Sequence, residues 1–363
     1  MARNLIAQVD LAALAHNYRV AKSQAQHSKA VAIIKANAYG HGAVAVAKAL
    51  SSEADAFGVA AIEEAIELRE AGIQRPILLL EGFFEASELP QIHQHQFWSS
   101  LHSLEQLSVL ESYLQSHTDV RGLHIWLKID SGMHRLGVNP VHVPDVLKRL
   151  QALKGVKSIV LMSHFACADE PDQPDTQRQL DLLGTSLQGF NLPRSFSNSA
   201  GVMHWPNAHH QWLRPGIMLY GASPFAVSHP VADQLKPGMT LSTEIIAIRH
   251  VPAGDAVGYG ASWTASKDTR IATLAVGYAD GYSRHAPSGT PVWLNGRRAV
   301  IAGRVSMDMI TVDLTGHDDA VVGDKVELWG ANISINEIAA CCNTIPYTLL
   351  SGLTRRVKQQ YSK

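Results

Sequence analysis

Between about positions 29 and 221, short apolar runs alternate with stretches of helical spacing. Runs at 31–35, 56–60, 77–81, 123–129, 158–163, 195–198 and 216–220 read as buried strands, because strands covered on both faces lose the apolar and polar alternation of half-exposed ones. Amphipathic segments lie between them, such as 61–71, where Ile62, Ala65, Ile66 and Leu68 line roughly one face. Alternating strand and helix predicts parallel strands joined by crossover helices. Seven or eight repeats in this length favour an α/β fold closed as a (β/α)8 barrel of TIM type. An open doubly wound sheet stays an alternative, since periodicity does not give strand order.

The rhythm changes after Lys236-Pro237-Gly238. Short runs at 241–251, 270–276, 291–294, 299–302, 309–312 and 325–328 are separated by Gly, Asn or Asp, which predicts a mostly-β companion with one short helix at 335–341. The expected division is a barrel over 8–237 and a β domain over 238–363, to which residues 1–7 add. No low-complexity linker or fixed-period repeat intervenes, so the two parts are expected to pack together.

Composition narrows the function classes. With 363 residues, 46% hydrophobic and 17% charged, the chain has apolar surface for real cores. A formal net charge of -1 gives no global field for nucleic acid or an anionic membrane, so any bound anion must be held by local geometry. Cys167, Cys341 and Cys342 are odd in number and two are adjacent, which fits neither a disulfide framework nor a spaced zinc motif. No metal site is expected. Asp10 interrupts the start, and no apolar run approaches a membrane span, so a cytoplasmic protein in a reducing compartment is expected.

The candidate chemistry begins where the first long run ends, in Ala30-Val-Ala-Ile-Ile-Lys35-Ala-Asn-Ala-Tyr39-Gly-His-Gly42. This puts a lysine at the C-terminal end of a barrel strand, the end where active sites lie. Such a lysine is either an ion-pair partner or a desolvated amine able to form a Schiff base. Tyr39 and the glycines Gly40 and Gly42 beside it suit a phosphate contact, although Gly-rich turns after strands are common.

This run resembles the cofactor-attachment signature of bacterial alanine racemases, and the likeness extends over nearly the whole chain. It includes Trp126-Leu-Lys-Ile-Asp-Ser-Gly-Met-His-Arg-Leu-Gly137, His164-Phe-Ala, Asn198-Ser-Ala, Arg214-Pro-Gly-Ile217, Gly258-Tyr-Gly-Ala261, Gly277-Tyr-Ala-Asp-Gly281 and Gly303-Arg-Val-Ser-Met-Asp308. The resemblance implies a (β/α)8 barrel followed by a β domain, pyridoxal 5'-phosphate as cofactor, alanine as substrate, and a homodimer with shared active sites.

By the same resemblance Lys35 carries the cofactor and serves as one acid/base, while Tyr259 from the partner subunit serves the opposite face. Taken alone, Tyr259 also reads as a packing tyrosine between two glycines of a hairpin. Arg214 would donate to the pyridine nitrogen; taken alone, it reads equally as a surface ion-pair residue. Gly216 and Ile217 would offer backbone N–H groups to the phosphate, with Ser199 and Tyr39 adding side-chain donors. His164 would stack on the cofactor ring or link Tyr259 to Arg214, although a lone histidine after a strand is commonly a structural hydrogen bonder. Arg135 would contact the cofactor's phenolic oxygen and the substrate carboxylate, aided by the backbone of Met307 from the partner.

Lys128 matches a lysine that is carbamylated in many members; unmodified, it would repel Arg135 unless an acid such as Asp130 or a bound anion intervened. Tyr278 would narrow the entrance and select a small side chain, although one methylene is worth only ~1–3 kcal/mol of discrimination. The chain departs from the family pattern at Leu353-Thr-Arg-Arg-Val357, where Arg355 stands in place of a phosphate-side tyrosine. Related decarboxylases carry a carboxylate at the pyridine nitrogen and a cysteine in the β domain, where this chain has Arg214 and Ser306-Met307-Asp308. Non-catalytic cofactor-binding relatives lack the β domain. A role in making D-alanine for cell wall and a catabolic role both stay open.

Overall fold

The computed structural model describes residues 3–362. Residues 1 and 2 of the expected N-terminal addition, and residue 363 of the expected β domain, lie outside the described residues. Strand β1 (Ile6–Asp10) leads into a helix (Leu11–Ser23), which Asp10 caps by accepting the Ala13 N–H at 2.8 Å.

Eight parallel strands follow: β2 (Lys29–Ile33), β3 (Ala56–Val59), β4 (Ile77–Leu79), β5 (Trp98–Leu101), β6 (Leu123–Lys128), β7 (Val156–Met162), β8 (Arg194–Ser195) and β9 (Trp212–Leu213). They pair in chain order from β2 to β8, and β9 returns to β2 with Trp212 beside Lys29. The seam between β8 and β9 is bridged by the Arg214 N–H donating to the Ser197 carbonyl at 3.0 Å, and by the Arg194 N–H donating to the Gln211 side chain at 2.9 Å. The ring is therefore a closed barrel, and the open-sheet alternative falls.

One strand expectation needs correction, and one strand was not anticipated. The run 216–220 is not the last barrel strand: Ile217–Tyr220 forms a 3-10 helix, and the two-residue β9 just before it completes the ring. All four residues of that helix are buried, and a continuous apolar run does not distinguish a buried strand from a buried helix. Strand β5 reads Trp-Ser-Ser-Leu, with Ser99 and Ser100 buried, so it lacks the apolar signature that marks its neighbours.

The second sheet is mostly antiparallel. It comprises β1 with β10 (Met239–Val251), β13 (Thr269–Leu274), β14 (Pro291–Leu294), β15 (Arg297–Ile301), β16 (Ile310–Asp313), β17 (Lys325–Trp329) and β18 (Lys358–Ser362), while β11 (Ala256–Val257) and β12 (Trp263–Thr264) form a separate hairpin. Strand β10 is long enough to pair with β1 and β17 along its first half and with β13 beyond an irregularity at 245–247, which closes six of the strands into a ring. The helix Ile335–Cys341 forms as expected; a second helix, Pro346–Ser351, was not anticipated.

Two attachments tie this sheet to the barrel. Buried Asn17 donates to the carbonyls of Leu219 (3.0 Å) and Lys236 (2.8 Å) and accepts the Lys236 N–H (2.8 Å), which pins the crossover segment to the first helix. Gln359 of β18 donates to the Gly40 carbonyl at 2.7 Å, so the last strand braces the turn that follows β2. Among the described residues, no helix is long and apolar enough to cross a membrane.

Candidate active site

Eight expected site residues stand at or just beyond the C-terminal ends of barrel strands. Lys35 and Tyr39 follow β2, Lys128 ends β6, His164 follows β7, Ser199 follows β8, and Arg214 and Gly216 follow β9, with Ile217 next. Parallel strands in a ring bring all their C-terminal ends to one mouth, so residues from Lys35 to Ile217 converge there although the sequence scatters them.

Lys35 opens a turn of unusual handedness. Ala36, Asn37, Ala38 and Tyr39 all have φ between 51° and 53°, and Gly40 has 77°, forming one left-handed turn. The left-handed conformation costs L-residues roughly 1–2 kcal/mol each, so four in a row must be held from outside. Glu64 accepts the N–H groups of Ala36 (2.6 Å) and Ala60 (2.8 Å) with its two oxygens. Asn37 accepts the Ala43 N–H at 2.9 Å. His41, fully buried, reaches back with Nδ1 to the carbonyls of Tyr39 (2.9 Å) and Ala38 (3.1 Å). Burial pushes the His41 pKa down to about 4, so its ring is neutral at neutral pH and carries the Nδ1 proton that both carbonyls accept. A Cβ on Gly40 would lie 2.2 Å from the Leu350 carbonyl oxygen, which fixes the close approach of the second β-domain helix.

The turn aims Tyr39 at Gly216. An ideal Cβ on Gly216 would sit 3.1 Å from the Tyr39 hydroxyl and 3.8 Å from Ser199 Oγ, so glycine leaves a small cradle between these groups. Burial raises the Tyr39 pKa to about 12, which keeps its phenol a donor at neutral pH. Ser199 Oγ accepts the N–H groups of Gly216 (2.9 Å) and Met218 (3.3 Å), which directs its own proton elsewhere. The Tyr39 ring stacks on Tyr220 at 4.7 Å and meets Tyr347 at 5.7 Å between centroids. Tyr347 comes from the unanticipated helix, and no strand or glycine signal marks it. Arg355 is exposed and makes no hydrogen bond among the described residues, in keeping with the departure noted at that position.

Arg214 is not a surface ion-pair residue. It is 4% exposed, and its terminal nitrogens are committed inside the barrel. Nη1 donates to the Ser195 carbonyl and hydroxyl, both at 2.6 Å, and Nη2 donates to the carbonyls of Ser163 (2.5 Å) and Phe196 (3.3 Å). Nε donates to no group of the chain among the described residues and is the one uncommitted donor. Burial pulls the pKa down to about 9, which leaves the guanidinium charged at neutral pH. Ser195 was missed because its partner lies 19 positions away, a pairing only the barrel creates.

His164 is held by its backbone: its carbonyl accepts from Gln179 Nε2 at 3.0 Å, and Gln179 also donates to Ser131 Oγ at 2.8 Å. Its position deep in the mouth, with Arg214, Lys128, Arg135 and Lys35 around it, holds its pKa well below the ordinary histidine value. Lys128 is buried, and burial together with Arg214, Arg135 and Lys35 draws its pKa down to about 8, against a smaller opposing effect of Glu81. Asp130 does not intervene between Lys128 and Arg135. Its carboxylate accepts the N–H groups of Gly132 and His134, both at 3.0 Å, and bonds His134 Nδ1 at 2.9 Å, so it shapes the loop that carries exposed Arg135.

The β-domain residues stand apart. Tyr259 is 68% exposed, Met307 and Tyr278 are also exposed, and no hydrogen bond joins any of the three to a barrel residue among the described residues. The packing role that Tyr259 could have taken between two glycines is therefore not met within one chain. Tyr278 and Met307 belong together: the N–H groups of Tyr278 and Ala279 donate to the carbonyls of Ser306 and Met307, each at 3.0 Å. Buried Asp280, which the sequence reading missed, accepts the Gly277 N–H at 2.9 Å and pairs with Arg3, anchoring this loop to the start of the chain.

A closed parallel barrel with a lysine and a buried arginine at its C-terminal mouth, continued by a β domain, defines a two-part protein of the barrel-enzyme class. Comparison with known proteins agrees. Residues 9–224 match the family model "Alanine racemase, N-terminal domain" and residues 238–361 the model "Alanine racemase, C-terminal domain". The chain is 51% identical over 356 residues, 98% of both chains, to "Alanine racemase, catabolic" of Pseudomonas aeruginosa. The biosynthetic alanine racemase structure from the same organism superposes with a TM-score of 0.95 at 49% identity, covering 99% of this chain and 100% of that one. The alanine racemase of Bartonella henselae, solved with covalently bound pyridoxal phosphate, gives 0.91 at 30% identity and full coverage of both. The chain belongs to the alanine racemase family, whose members are pyridoxal-phosphate-dependent isomerases.

Proposed function

We propose that this protein interconverts L- and D-alanine with pyridoxal 5'-phosphate held at the barrel's C-terminal mouth, as a homodimer in which each site takes Tyr259 from the partner subunit. The residues fit the cofactor at both of its polar ends. Tyr39, Ser199 and the Ile217 N–H supply donors beside Gly216, and the Gly216 N–H, which donates to Ser199 Oγ at 2.9 Å, would turn from it to serve a bound phosphate. Arg214 offers one free N–H, at Nε, where a ring nitrogen would need a donor. When bound, the cofactor supplies a conjugated electron sink that makes the α-proton of an amino acid removable.

The chain's own groups do the rest. Lys35 would hold the cofactor and move a proton on one face of the substrate. Arg214, whose five bonds to protein atoms at or below 3.4 Å fix its fork, retains its proton rather than yielding it, which moderates electron withdrawal and disfavours side reactions. The partner subunit's Tyr259 would move a proton on the other face; its exposure in one chain leaves it available to a second. Arg135 would bind the substrate carboxylate with help from the partner subunit's Met307, and Tyr278 would limit pocket size. We assign Lys128 as a carbamylation site: its depressed pKa raises the share of neutral amine, the form that adds carbon dioxide, and the product anion would relieve the crowding of four cations.

The observation that carries this reading is the buried Arg214, its terminal nitrogens committed and its Nε free, at the mouth that also holds Lys35. Incubation of the cofactor-loaded protein with L-alanine in deuterium oxide is expected to yield D-alanine with deuterium at the α-carbon. Absence of both would overturn the proposal.

A further inference from the structure

The opposite, N-terminal mouth of the barrel contains a cavity of about 800 Å³. Strand residues wall it: Lys29, Trp98 and Trp212 open β2, β5 and β9, His124 and Lys157 are second in β6 and β7, and Trp126 lies further along β6. Neighbouring strands pair some of them directly: Trp98 with His124, His124 with Ser158, and Lys29 with Trp212. Branched aliphatic side chains commonly fill the layers of such barrels. Here the outermost layer is aromatic and basic instead.

The aromatic part is an ordered floor. Trp98 stacks on Trp126 with centroids 5.9 Å apart and planes at 24°, and Trp212 meets them edgewise at 5.3 and 5.5 Å. Trp126 is 1% and Trp212 9% exposed, so the rings are held in place before anything binds. Trp205 is the only tryptophan whose indole N–H donates to a group of the chain among the described residues, which leaves the three indole donors of the floor unspent. His124 is engaged at Nδ1 with Ser158 Oγ at 2.7 Å, which orients its ring.

Charge at the rim is one-sided. Lys29 and Lys157 are exposed and form no ion pair among the described residues, and the Lys29 ammonium sits 5.4 Å from the Trp212 ring centroid. Asp55, the acid of this mouth, is committed to Lys22 Nζ at 2.8 Å and to the Ala30 N–H at 2.9 Å. Arg75 is turned to the Ser51 carbonyl at 2.7 Å. A pocket walled by the partly exposed Trp98 and by indole edges, with free N–H donors and two unpaired ammonium groups, matches a flat ring bearing a negative charge.

We propose that this mouth binds a planar aromatic carboxylate of one or two rings, seated on the tryptophan floor with its charge drawn to Lys29 and Lys157. The site lies at the other end of the strands from the catalytic mouth and does not depend on how that mouth works.

The test is calorimetric titration of the protein, purified with its cofactor, by 1-naphthoate and by the neutral naphthalene-1-methanol. Naphthoate is expected to bind one site per chain, and the neutral compound about tenfold more weakly, as a loss of one charge-assisted contact predicts. A Lys29→Gln/Lys157→Gln double variant should bind naphthoate about tenfold more weakly than the parent while retaining its kcat/KM for alanine. Equal binding of the two compounds, or unchanged naphthoate affinity in that variant, overturns the proposal. So does competition of naphthoate with alanine that persists in the variant, because it would place the ligand in the catalytic mouth.

Discussion

Nη2 of Arg214 lies 3.4 Å from Nδ1 of His164 at the catalytic mouth. Burial, reinforced by a fixed cation so close, keeps His164 neutral where a free imidazole would already be charged. Nitrogen-15 spectra of labelled histidine are therefore expected to show His164 neutral at pH 5.5. The folded-state pKa lies below the unfolded value, so this group adds stability above about pH 6.5 and removes it as pH falls. A protonated His164 at pH 5.5 would contradict the arrangement.

Replacing Arg214 by Lys keeps a charge but abandons the fork. The carbonyls of Ser163, Ser195 and Phe196 each accept from the guanidinium, and unpaired buried acceptors cost about 1–3 kcal/mol apiece. Arg214→Lys is expected to lower the denaturation midpoint and to reduce kcat/KM by about 100-fold, with the cofactor still attached, as electrostatic contacts of this kind commonly do. Wild-type activity and stability together would sink the assignment.

Lys128 gives a pH-dependent signature. A pKa near 8 leaves about a quarter of the amine neutral at pH 7.5, against about 0.1% for an ordinary lysine. In carbon-13 bicarbonate, a carbamate resonance is expected in the parent protein, stronger as pH rises toward 8 and absent in Lys128→Gln. A parent spectrum identical to the variant's would remove Lys128 from this role.

The left-handed turn is a second pH-sensitive element. His41, with its pKa lowered to about 4, stabilises the fold above the unfolded value near 6.5 and loses that contribution as pH falls, by about 2 kcal/mol at pH 5. Thermal midpoints measured from pH 7 to 5 should fall, and fall less steeply in His41→Gln. Gly40→Ala tests the same turn sterically. With φ of 77° and a Cβ 2.2 Å from a backbone oxygen, it is expected to cost about 2–3 kcal/mol and to weaken cofactor retention.

Tyr259→Phe should leave stability within about 0.5 kcal/mol of the parent, since the side chain is exposed and makes no hydrogen bond among the described residues. Its activity should nevertheless collapse. Mixing it with Lys35→Ala should restore partial activity through mixed dimers that contain one intact site; a mixture as inactive as its components would exclude shared sites.

The sequence by itself determined the alternation that makes the barrel, the change of rhythm at 236–238, and the position of Lys35 at a strand's end. Each of these is a local property of apolar spacing or of a short motif, and local properties survive in one dimension. Where locality failed, so did legibility: Ile217–Tyr220 read as a strand, and β5 was hidden by its serines. Tertiary structure alone decided that Ser195 and Ser163 hold Arg214, that Glu64 and His41 enforce a left-handed turn, that Asp130 serves its own loop, and that Tyr347 backs Tyr39. Those relationships depend on hydrogen-bond geometry and burial between residues far apart in the chain. They come into being only when closure of the ring brings the strand ends together.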